Sequence, residues 1–66
     1  MVYKLIDIVG TSPNSWEEAI QNAIEEASKT VRGIGRVIVK GMDVKVEDDK
    51  IKEYRVECNI SFKVER

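Results

Sequence analysis

The chain has no histidine, a single cysteine and a single proline among its 66 residues. Without imidazole there is no Ser/His or Cys/His nucleophilic pair and no histidine metal site. One cysteine excludes an internal disulfide and any CxxC zinc or redox motif. An excess of one charge is missing as well, because 11 Lys and Arg stand against 12 Asp and Glu. That balance leaves no surplus positive charge for a phosphate backbone, and no basic block exceeds two residues, so no nucleic-acid partner is expected. No apolar run approaches the ~18 residues of a membrane span. The opening Met1-Val2-Tyr3-Lys4 leads straight into a strand-like segment and does not read as a signal peptide. The expected address is therefore cytoplasmic, with no membrane partner. Repeats and low-complexity tracts are absent, and the few glycines mark turns within one domain spanning 1–66.

What remains is an ordinary globular composition, 42% apolar and 35% charged. A chain this short buries only about 60% of its unfolded surface. Lacking disulfide or zinc staples, it is expected to share its folding free energy with neighbouring copies.

Tyr3 to Val9 is rich in β-branched and aromatic residues and reads as a strand ending at Gly10, followed by a loop to Asn14. Ser15-Trp16-Glu17-Glu18 is a capping box, with Ser12 before Pro13 as a rival cap. Trp16, Ala19, Ile20, Ala23, Ile24, Ala27 and Val31 then form one stripe at helical spacing, which predicts an amphipathic helix ending near Gly33. Trp16 falls inside that stripe, so its expected role is core packing or a subunit contact.

Beyond Gly35 the period changes to two. Tyr54, Val56, Cys58, Ile60, Phe62 and Val64 alternate with Glu53, Arg55, Glu57, Asn59, Ser61 and Lys63. The preceding strand switches phase, since Val37 and Val39 are odd-numbered whereas Met42, Val44 and Val46 are even-numbered. A β-bulge at Gly41 reconciles the two sets. A turn at Asp48-Asp49-Lys50 pairing Glu47 with Ile51 sets Lys45 opposite Glu53 and Asp43 opposite Arg55. Upstream of the bulge the register gives Lys40 against Glu57, Val39 against Cys58, Val37 against Ile60 and Arg36 against Ser61. The expected class is α+β, of order β-α-β-β, with a three-stranded antiparallel sheet partly wrapping one helix and the last strand central. Its outer face is expected to be polar and available for assembly or a ligand.

No pair of carboxylates can be given acid and base roles from spacing, and Cys58 faces the core with no basic neighbour, so no enzyme is expected. Gly10-Thr11-Ser12 lacks the lysine and glycine spacing of a phosphate loop, and capping accounts for it better. Glu47-Asp48-Asp49 lacks the spacing of a calcium loop and reads as a hairpin turn. Asp43, Glu53 and Glu57 share the outer face, but calcium takes about six to eight oxygens, so a metal site there has to be shared between subunits. Arg55 pairs with Asp43 or serves a ligand, while Arg36 has no acidic partner across the ladder.

Val2-Tyr3-Lys4, Gly10-Thr11-Ser12, Ser15-Trp16-Glu17-Glu18-Ala19-Ile20, Lys52-Glu53-Tyr54-Arg55-Val56 and Phe62 resemble the dodecin family over essentially the whole chain. The resemblance implies a hollow homo-dodecamer that binds flavin, riboflavin or FMN, in stacked pairs without turnover. It also implies where the ligand sits: Arg36 stands at the position of a stacking tryptophan, and Arg55 at that of a glutamine on the polar edge of the flavin. Asp43 and Lys63 are further candidates for ligand or interface contacts. Both arginine replacements imply weakened flavin binding. Ile6-Asp7-Ile8, Gly10-Thr11-Ser12-Pro13 and Ser15-Trp16-Glu17 are similar to the calcium dodecin branch, which implies calcium as the alternative ligand. In that alternative Asp43, Glu53 and Glu57 of adjacent subunits hold the cation, or merely lock a purely structural dodecameric cage.

Overall fold

The computed structural model describes residues 1–64. Along the chain run β1 (Tyr3–Ser12), α1 (Trp16–Ser28), β2 (Ile34–Glu47) and β3 (Lys50–Lys63). The strands form one antiparallel sheet in the order β1-β3-β2, with the last strand in the middle as the sequence predicts.

β1 does not stop at Gly10 but continues to Ser12, with Gly10 paired to Val56. Gly10 is there because of how closely the helix approaches. A Cβ on it would run into the carbonyl oxygen of Ala19 and lie 2.9 Å from the Cβ of Ala23. Ala19, Ala23 and Ala27, one turn apart, are all buried, and this row of small side chains lets the helix sit low over β1 and β3. Above it Val56, Cys58 and Ile60 of β3 complete the core, flanked by Ile6, Ile8, Trp16, Ile20 and Ile24. Trp16 packs edge-on against Tyr54, ring centroids 5.0 Å apart, so its position in the stripe reflects packing.

Ser15 is the N-cap, its Oγ accepting from the Glu18 N–H at 3.0 Å. The other half of the capping box is replaced. The Glu18 carboxylate takes the Asn14 side-chain amide, while Ser12 Oγ accepts from the N–H groups of Asn14 and Ser15. The helix ends at Ser28, earlier than Gly33. The N–H groups of Thr30 and Val31 both bond to the Ala27 carbonyl, and Gly33 then turns the chain at φ +75° into β2.

The phase change in β2 is a bulge, as predicted. Lys40 and Gly41 together oppose Glu57, with Gly41 holding the ladder position and Lys40, not Gly41, the extra residue. Val37 against Ile60, Val39 against Cys58, Asp43 against Arg55 and Lys45 against Glu53 follow the predicted register. The tip differs: Asp48 and Asp49, both at positive φ, make a two-residue turn, so Glu47 meets Lys50 and Lys52 bulges out between Ile51 and Glu53. Gly35 is a third irregularity, between Ile34 and Arg36.

At 1.5 Å per residue the 13-residue helix is about 20 Å long, whereas the molecule extends 51 Å. The β2–β3 hairpin therefore projects past the helix. Val39, Met42, Val46 and Ile51 lie exposed on its inner side.

Candidate functional site

Direct cross-strand partners point to the same face of a sheet. Arg36, Asp43, Glu53, Arg55, Glu57 and Lys63 are thus all on the face away from the helix, and the bulge at Lys40 is what keeps Arg36 on the same side as Arg55. The face is less polar than expected. β1 contributes Tyr3, Leu5 and Val9, and β2 contributes Ile38, all about half exposed. The odd-numbered positions of β1 were the available signal, since they pair with the odd-numbered, outward positions of β3.

Three regions lie along this face. At the end near the sheet's first residues, exposed Arg36 stands across from Ser61 and lines a notch of about 200 Å³ with Tyr3, Gly35 and Ser61. No carboxylate among the described residues pairs with it. Lys63, exposed and opposite Tyr3, closes that end and also borders a recess on the helix side with Lys4 and Arg32. The middle is a depression of about 410 Å³ bordered by Asp7, Lys40, Glu57 and Asn59. Of these only Glu57 was singled out from sequence.

At the far end Arg55 is paired through Nε and Nη2. Its Nε donates to Asp43 Oδ1 at 2.8 Å and its Nη2 to Asp43 Oδ2 at 2.5 Å, a bidentate fork, and Nη2 also lies 3.7 Å from Glu57 Oε1. The Arg55 hydrogen bond holds the Asp43 carboxyl below the usual carboxylate range, and Asp43 in turn raises the guanidinium further. Glu53, half-buried, faces Lys45 beside this cluster. Among the described residues no three acidic or thiol side chains converge as metal ligands do. Asp43 and Glu57 share a counter-ion already, the guanidinium of Arg55. Cys58 lies on the opposite face, and burial pushes its thiol pKa up.

Arg36 and Arg55 do not meet within one chain. Ser61, which faces Arg36, and Arg55 are six residues apart on β3, or ~20 Å at ~3.3 Å per residue. No helix among the described residues is long and apolar enough to cross a membrane.

Comparison with known proteins places this architecture. The family model for dodecin matches residues 2–65. The chain is 41% identical to the calcium dodecin of Mycobacterium tuberculosis over 63 residues, covering 96% of this chain and 89% of that protein. It is 38% identical to the dodecin of Thermus thermophilus over 64 residues, with 97% and 93% covered. Among solved structures, the tt0972 protein of T. thermophilus superposes with a TM-score of 0.94 at 37% identity, covering 98% of this chain and 96% of that one. The M. tuberculosis calcium dodecin, described as calcium chelating, superposes at 0.83 with 42% identity and coverage of 98% and 93%. With its β-α-β-β order, its central last strand and a match along nearly its full length, the chain belongs to the dodecin family.

Proposed function

We propose that this protein is a non-enzymatic, cytoplasmic binding and storage protein that assembles as a hollow homo-dodecamer and holds a flavin-type ligand, weakly, on the outer face of its sheet. The observation that carries the reading is Arg36, whose guanidinium has no carboxylate partner among the described residues and stands in an open notch beside Tyr3, suited to stacking on a planar ring or holding an anionic group. Assembly is supported by the exposed apolar side chains on both faces of the sheet, Val39, Met42, Val46 and Ile51 on one and Leu5, Val9 and Ile38 on the other.

Weak binding follows from Arg55. Its fork with Asp43 takes two of the five guanidinium N–H donors and fixes the plane of the group, so the polar-edge position is partly occupied from within the chain. A second reading, calcium, is supported by the likeness to calcium dodecin and by the two carboxylates that already share one cation, with Arg55 in the place a metal would take. Titration of the assembled protein with riboflavin and FMN, read by quenching of flavin fluorescence, with calcium calorimetry in parallel, separates the two. Quenching at micromolar flavin supports the first reading. Heat from calcium without quenching supports the second, and a folded monomer that binds neither removes both.

A further inference from the structure

We draw no further inference here: the strongest candidate, the recess of about 340 Å³ on the helix side of the sheet bordered by Lys4, Arg32, Phe62 and Lys63, shares Lys63 with the site already described, is lined by no buried polar side chain among the described residues, and nothing in the structure shows what covers it.

Discussion

Replacing Gly10 with alanine tests the account of how the helix meets the sheet. The added methyl would enter the space of the Ala19 carbonyl oxygen and press on Ala23 Cβ. A main-chain oxygen cannot swing aside as a side chain does, so the helix must lift, and the alanine row loses contact with Val56, Cys58 and Ile60. Overpacking of this kind costs about 1–3 kcal/mol, with the upper end applying where backbone has to move. The substitution also stiffens the unfolded chain, which returns about 0.4–1 kcal/mol. A net loss of about 2 kcal/mol is a large part of the roughly 3–10 kcal/mol available to 66 residues. At a urea m-value near 1 kcal/mol/M this moves the unfolding midpoint down by about 2 M. The comparison has to be made at one protein concentration, since assembly contributes to apparent stability. Adding Ala23→Gly should restore only a minority of the loss, because it relieves the methyl contact and leaves the carbonyl in place. A midpoint shift below about 0.5 M, or full rescue by Ala23→Gly, would refute the argument.

Other substitutions probe the cap, the tip and the charge cluster. Ser15→Ala should cost about 1 kcal/mol through loss of the Glu18 N–H bond, and Ser12→Ala roughly 1–3 kcal/mol, because it strips two N–H groups of their acceptor at a buried position; thermal melts rank the two. Asp49→Gly should raise the melting temperature, by about 0.5–1 kcal/mol in stability, since Asp49 sits at φ +62° in a turn that favours Asp-Gly. Asp43 titrates lower in the folded chain than unfolded, so its contribution is present above the ordinary carboxylate range and disappears as pH falls through its depressed value. Melts of wild type and Asp43→Asn from about pH 7 to about pH 2 should accordingly converge in acid, and a gap that persists there would show that charge is not the cause.

The alternation of β3 and the clash of parity between Val39 and Met42 were enough to predict the central strand, the bulge and the pairing of Asp43 with Arg55. Those features are local, written in the period of one or two strands. What could not be read depended on distance in space. Gly10 looked like a turn because a glycine demanded by a helix passing overhead is indistinguishable in sequence from one demanded by backbone reversal. The tip was placed one residue off because the compensating bulge at Lys52 has no compositional mark. Lys52 is an ordinary polar residue among others. The outer face looked polar because only β2 and β3 were projected onto it; pairing β1 in register added Tyr3, Leu5 and Val9. The side-chain period places Arg36 and Arg55 on one face, whereas their separation along it follows from the length of β3 between Ser61 and Arg55.

The bulge at Lys40 works as a parity switch for the strand that carries it. Before it, β2 sends its even-numbered side chains, Arg36 and Ile38, outward; after it, the odd-numbered Asp43 and Lys45 go outward instead. The contents of the two faces are thus fixed by counting as much as by chemistry. Gain or loss of one residue between Val39 and Gly41 would leave every side chain chemically intact and exchange the faces on one side of the break. Arg36 would turn toward the helix, and Val37 and Val39 would turn toward the outer face. Substitution at these positions alters what the face carries, whereas a single-residue change of length alters which face it is.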